Sequence, residues 1–279
     1  MSDAIGWDTH AHVIGDAREY PLSPTRSYTP PPASLDDYLA MLDRHGIARG
    51  VLVQPSVYGH DHRCLLDALD RADGRLRGIA VPSPDATTAD LEAMHARGVR
   101  GVRCNLINPG GLSPAVVDSW QPALRAMGWH LEFHIRMGQI AGWGRVLESF
   151  DIPVVVDHMG RPTPDPIDAR LQPHPDLIRL IRDGRCYVKL SAPYRISSAA
   201  ALARHGAQRD GGWPDVTPLA SAFLEANPSA CLWGTDWPHV DSSPAVNTAD
   251  VIAALDDWLG DRWTRAQITG DAAEQLFGQ

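Results

Sequence analysis

Eight short apolar runs, rich in β-branched residues, alternate with helical patterns from one end of this chain to the other. No other feature constrains the fold as much. The runs predict strands at Ile5–Val13, Gly50–Gln54, Gly78–Val81, Val99–Leu106, His130–Ile135, Val154–Asp157, Tyr187–Leu190 and Cys231–Gly234. Between them, apolar residues recur at helical spacing. Ser34 reads as an N-cap with Asp36 and Asp37 in the first turn, followed by Leu35, Tyr38, Leu39 and Leu42 up to Gly46. Leu65, Leu66, Leu69 and Ala72 repeat the pattern up to Gly74, and Leu91 with Met94 up to Gly98. An Arg-Gly pair opens three strands, at Arg49-Gly50, Arg77-Gly78 and Arg100-Gly101, where glycine is expected to leave the preceding helix.

Strands recur at intervals of about 20–45 residues, the size of one βα unit, so the predicted fold is α/β, a single-domain (β/α)8 TIM barrel over residues 1–279. An open doubly wound sheet is the alternative. Two longer stretches, Tyr20–Pro32 and Tyr194–Pro218, follow strands and are expected over the C-terminal mouth of the barrel, where catalytic residues gather.

With 44% hydrophobic and 21% charged residues the chain can build a large core, and disorder is excluded. Thirty-four acids against 25 bases give a formal charge of −9, which argues against nucleic acid or an anionic membrane as partner. Four separated cysteines without a CxxC pair suit a reducing compartment. The opening MSDAIGWDTHAH has no basic or apolar leader, and no uncharged stretch approaches spanning length, so a cytoplasmic protein is expected, as a monomer or small homo-oligomer.

Twelve histidines raise metal or proton chemistry. His10 and His12 are two apart on the first strand and share a face. His134, His158 and Asp236 fall at the ends of the fifth, sixth and eighth predicted strands, and a barrel brings those ends around one mouth. Three imidazoles and a carboxylate suit one zinc-like divalent ion, Zn2+ by donor type, with a fourth imidazole beside it. Arg103, Arg161 and Arg195 also lie near strand ends, where guanidiniums can cradle a carboxylate. One of them could instead pair with a local acid, for instance Arg161 with Asp157. Lys189, the single lysine, is either a Schiff-base nucleophile or, as the preferred reading, a cation balancing a buried carboxylate such as Asp236 or a neighbour. Trp213 and Trp237 are expected to wall a pocket, and Tyr28, Tyr58 and Tyr194 to donate hydrogen bonds from mouth-facing loops; Trp120, Trp143, Trp258 and Trp263 suit packing.

These segments resemble the amidohydrolase superfamily of barrel hydrolases (amidohydrolase-2 type). The narrower match is to its lactonase branch, with pyrone-dicarboxylate lactonase and sulfomuconolactone hydrolase. The resemblance rests on Asp8–Val13, VLVQPS at Val51–Ser56, RGVRCNL at Arg100–Leu106, VVVDHMGRP at Val154–Pro162 and WGTDWPH at Trp233–His239. It implies an enzyme that opens a small carboxylated lactone in aromatic or sugar-acid catabolism. Asp236 would be the general base and His158 would orient substrate or water. His10, His12, His134 and Asp236 would hold one metal, and Arg103, Arg161, Arg195, Gln54, Ser56, Asn105 and Tyr194 would bind substrate. His134 stands where metal-free members carry another residue, which favours an ion. The Asn108-Pro109-Gly110-Gly111 loop lacks the basic anchor of the pyrone-dicarboxylate enzyme, which argues against a dicarboxylate. The metal-bridging lysine of binuclear relatives is missing from the fourth strand. A metal-dependent decarboxylase, a Schiff-base aldolase and a non-catalytic anion-binding barrel remain as alternatives.

Overall fold

The computed structural model describes residues 4–136, 138, 142–163, 170–198, 213–240 and 246–278. Most of the Tyr194–Pro218 stretch, and the Trp143 side chain, lie outside the described residues. The eight strands are β1 (Ile5–Ala11), β2 (Ile47–Val53), β3 (Leu76–Ala80), β4 (Val99–Asn105), β5 (His130–His134), β6 (Val154–Val156), β7 (Tyr187–Ser191) and β8 (Cys231–Gly234). They form one parallel sheet in sequential order. Helices α1 (Leu35–Arg44), α2 (Arg63–Arg71), α3 (Thr88–Ala96), α4 (Pro114–Ala126), α5 (Trp143–Glu148), α6 (Pro175–Arg182), α7 (Thr217–Ala226) and α8 (Thr248–Leu259) follow the strands in turn. A last helix, α9 (Ala272–Phe277), comes after them. The (β/α)8 expectation holds, and the doubly wound alternative falls.

Closure between the last and first strands is made just beyond β8. His12 N donates to Trp237 O and Asp236 N to His10 O, both at 2.8 Å. Asp8 is the clasp: its buried carboxylate accepts from Thr235 N at 2.8 Å, Thr235 Oγ1 at 2.6 Å, His10 N at 3.2 Å and the Tyr38 hydroxyl at 3.1 Å. Burial nevertheless pushes its pKa up to about 6. The approach is so close that a Cβ at Gly234 would lie 2.7 Å from His10 N, so WGTD needs its glycine.

The Arg-Gly glycines do not leave helices. Gly50, Gly78 and Gly101 lie within strands, and the helix exits are Gly46, Gly74 and Gly98, with φ of 64°, 75° and 97°. At Gly101 a Cβ would sit 2.8 Å from His130 O. Side-chain volume, rather than turn chemistry, requires glycine there.

Two apolar clusters fix where the site can be. The larger joins strands to the outer helices. The smaller, with Val51, Val53, Ile79, Val155 and Leu232, joins the strands to α9 and so fills the barrel interior beneath the mouth. Trp7 and His130 pack on Phe277 with ring centroids 5.8 and 5.0 Å apart, which seats α9 against the N-terminal ends of the strands. One end is thereby closed, and polar groups collect at the other.

A pair of histidines braces the rim after β3. His60 Nδ1 lies 2.8 Å from Val81 O, and Val81 N donates to His62 Nε2 at 3.0 Å. Burial lowers the His62 pKa to about 4, from an ordinary 6.5. Because the folded value is the lower one, this contribution is present above about pH 6.5 and fades as pH falls toward 4. From pH 7 to about pH 5 it should cost about 2 kcal/mol. The melting temperature of His62→Gln should therefore depend on pH less steeply than wild type; parallel profiles would contradict the assignment.

Candidate active site

The mouth is assembled by backbone that few L-residues adopt. After β6, His158, Met159, Gly160 and Arg161 have φ of 52°, 53°, 71° and 45°, one left-handed turn. After β8, Asp236 has φ 58°. Non-glycine residues in this region cost about 1–3 kcal/mol each and persist where the surroundings over-determine them. The turns aim His158 and Asp236 at the β1 histidines.

Asp236 is the hub. Its Oδ2 accepts from the Tyr194 hydroxyl through a short hydrogen bond and from Arg195 Nε at 2.8 Å. Its Oδ1 faces three imidazoles: His12 Nε2 at 3.5 Å, His10 Nε2 at 3.8 Å and His158 Nε2 at 4.0 Å. Burial would raise this carboxyl, but the Arg195 guanidinium overrules it and holds it well below the usual range. It is ionised at every working pH. Burial lowers His158 to about 3, and takes His10 and His134 well below 6.5, so these three rings are neutral.

The donor chemistry fits an ion at His10, His12 and Asp236, whose ligand atoms lie within 4.8 Å of one another. His10 Nε2 and Asp236 Oδ1 are buried without a hydrogen-bond partner. His12 Nδ1 lies 2.7 Å from Val53 O, an acceptor only, so Nδ1 carries the hydrogen and Nε2 keeps its lone pair. For His10, Asp157 Oδ1 stands 3.4 Å from Nδ1 and Lys189 Nζ 3.2 Å. Donation to Asp157 leaves Nε2 as a metal donor; acceptance from Lys189 turns Nε2–H toward Asp236.

Below this centre lies a buried ionic network. Lys189 Nζ is 2.5 Å from Glu132 Oε1 and 3.5 Å from Asp157 Oδ1. Arg103 donates from Nε at 2.8 Å and Nη2 at 2.8 Å to Asp157 Oδ2. Burial raises Asp157, but Arg103 and then Lys189 pull it well below the carboxylate range.

Above it is a small open pocket of about 40 Å3, lined by His12, Tyr28, Ser56, Arg103, Asn105, His134, His158, Arg161, Arg195 and Asp236, with Asn108 among the rim residues.

The amidohydrolase family profile matches residues 7–279. This chain belongs to the amidohydrolase family. It is 34% identical over 283 residues to the 4-sulfomuconolactone hydrolase of Hydrogenophaga intermedia, covering 98% of this chain and 88% of that one. It is 34% identical over 236 residues to the 2-pyrone-4,6-dicarboxylate hydrolase of Comamonas testosteroni, covering 83% and 76%. Among solved structures, a candidate 2-pyrone-4,6-dicarboxylic acid hydrolase of Pseudomonas putida superposes with a TM-score of 0.81 at 32% identity, covering 98% and 97%.

In this amidohydrolase several expected site residues have other duties. His134 stands outside the His10–His12–Asp236 group: its Nε2 is 3.4 Å from Arg161 Nη1, a donor only, so that lone pair is taken. Asp157 pairs with Arg103 rather than with Arg161, and Lys189 balances Glu132 and Asp157 rather than Asp236. Gln54 donates to Gly59 O at 3.1 Å and Asp61 O at 2.9 Å, which shapes the turn carrying Ser56. Asn105 lines the pocket while its Oδ1 caps Ile107 N and Asn108 N. Tyr194 serves Asp236, Tyr58 accepts from Gly15 N, and Tyr28 lines the pocket beside Ser56. Trp237 packs on Tyr38 instead of walling the pocket, and Trp213 is buried near Tyr194. Sequence reasoning gave no site role to Asp8, Glu132 or Ser191, whose Oγ is 2.8 Å from His158 Nδ1. Asp8 shares the strand phase of His10 and His12, and that signal was available.

Proposed function

We propose that this amidohydrolase opens a small anionic lactone by attack of water on the ring ester. The observation that carries the reading is Asp236: an ionised, buried carboxylate with one oxygen anchored by Tyr194 and Arg195 and the other bare among three imidazoles. Its relatives' named activities on lactones support it. Water placed between Asp236 Oδ1 and the ester carbon gives its proton to that oxygen as the C–O bond forms. The proton returns to the departing ring oxygen, and the new carboxylic acid releases one to solvent. Neutral His158, fixed by Ser191, positions the water or the ester. Arg161 holds the anionic end.

For the cofactor we propose one divalent ion, zinc by donor type, held by His10, His12 and Asp236. When bound, such an ion polarises the ester and acidifies water. Removal with a chelator should drop activity at least about tenfold, with recovery on adding zinc. A fully active enzyme with negligible metal would instead assign the Lys189-supported tautomer of His10.

The decisive test is proton release from a panel of carboxylated five- and six-membered lactones. Carbon dioxide without ring opening would support the decarboxylase. The aldolase reading loses its footing, because Lys189 is fully buried beneath the pocket and bound to Glu132. The relatives named for a sulfonated lactone and a pyrone dicarboxylate support a small anion as the partner; among the described residues no helix is long and apolar enough to cross a membrane.

A further inference from the structure

Of the three arginines at the mouth, only one has no carboxylate partner among the described residues. Arg103 spends Nε and Nη2 on Asp157 Oδ2. Arg195 spends Nε on Asp236 Oδ2 and Nη2 on Val240 O at 2.5 Å. Each retains a single terminal nitrogen, and an anion arriving there would meet an aspartate already in place. Arg161 differs. Its Nε is buried with no partner, and its Nη1 rests on neutral His134. Among the described residues no carboxylate pairs with it. Arg136 stands nearby but is exposed at the rim, where solvent screens its charge. Tyr28, Ser56, Asn105 and Asn108 add only uncharged lining.

Carboxylate is bound strongly by a charged N–H donor, and Arg161 lines the pocket with no carboxylate already on its guanidinium. We infer that the substrate carries a single carboxylate, docked on Arg161, with His134 as the positioning residue that orients the guanidinium. The inference rests on the lactone reading for the ring but not for the charge. It separates this chain from relatives named for a dicarboxylate and a sulfonated lactone. It also gives His134 a use in place of metal ligation.

Calorimetric binding of two non-hydrolysable ring ethers tests it: tetrahydrofuran-2-carboxylate and cis-tetrahydrofuran-2,5-dicarboxylate. The monoacid should bind wild type, and the diacid no more tightly. Arg161→Gln should weaken the monoacid roughly ten- to a hundredfold, the loss expected for a charged hydrogen-bonded contact. Arg161→Lys should recover part of it, and His134→Ala should show a smaller loss that His134→Gln restores, since its amide oxygen can accept from Arg161. Melting curves confirm that each variant is folded. A diacid bound about tenfold more tightly than the monoacid, no measurable monoacid binding, or an unchanged Arg161→Gln would overturn the inference. Because neither probe can be hydrolysed, the two readings fail separately. Silence of the lactone panel with this binding pattern intact removes the lactonase and leaves the dock. Turnover of lactones with preferred diacid binding does the reverse.

Discussion

Asp236→Asn is expected to lose about 10³-fold or more in kcat/KM on any lactone the wild type opens, the scale of a lost general base. Asparagine keeps the shape, and its amide oxygen can still accept from Tyr194 and Arg195. It has no basic oxygen to offer the water in place of Oδ1. The variant should keep the barrel's circular dichroism, melt at a lower temperature because Arg195 loses its counter-charge, and be assayed well below that melt. Since the Arg195 guanidinium holds the native carboxyl well below its ordinary range, protonation of Asp236 should not shape the acid limb of the wild-type profile. Any acid limb should track loss of folded protein instead. Near-wild-type turnover by the folded variant would remove Asp236 from the chemistry and, with it, the main support for water activation at this centre.

The pattern of strands and helices was legible because barrel strands are buried on both faces and read as continuous apolar runs. Strand ends were legible too, which is why His10, His12, His158 and Asp236 could be named together. Partnerships were harder to read. Asp157 and Arg161 lie four residues apart, and sequence proximity suggested a pair. The left-handed turn from His158 to Arg161 carries the guanidinium toward His134, while the register places Arg103 beside Glu132 of β5, next to the strand that leads to Asp157. No propensity scale anticipates four successive positive φ values, three of them at non-glycine residues. Arginine composition was equally silent on which guanidiniums arrive already neutralised. Of the four expected ligands, His134 lies outside the close group of His10, His12 and Asp236 for the same reason: its strand position was right, but its Nε2 faces Arg161.

Lys189→Met should destabilise the barrel by about 3–5 kcal/mol, because it removes one partner of a buried ion pair and leaves a carboxylate uncompensated. For a chain of this size that corresponds to a fall of about 10 °C in melting temperature. The cost falls on one carboxylate more than on the other. Asp157 keeps Arg103 on its other oxygen, whereas among the described residues Glu132 has only Lys189 at 2.5 Å and the imidazole of His130 at 3.3 Å, with Oε2 bare. Adding Glu132→Gln should therefore restore most of the lost stability, since a neutral amide replaces the stranded charge. Glu132→Gln alone should be costly, as it strands the ammonium. A double-mutant cycle measures the coupling directly. If Lys189→Met melts like wild type, or if the second substitution adds to the damage instead of repairing it, the ammonium is not balancing Glu132 and the layer beneath the histidines is held by something else.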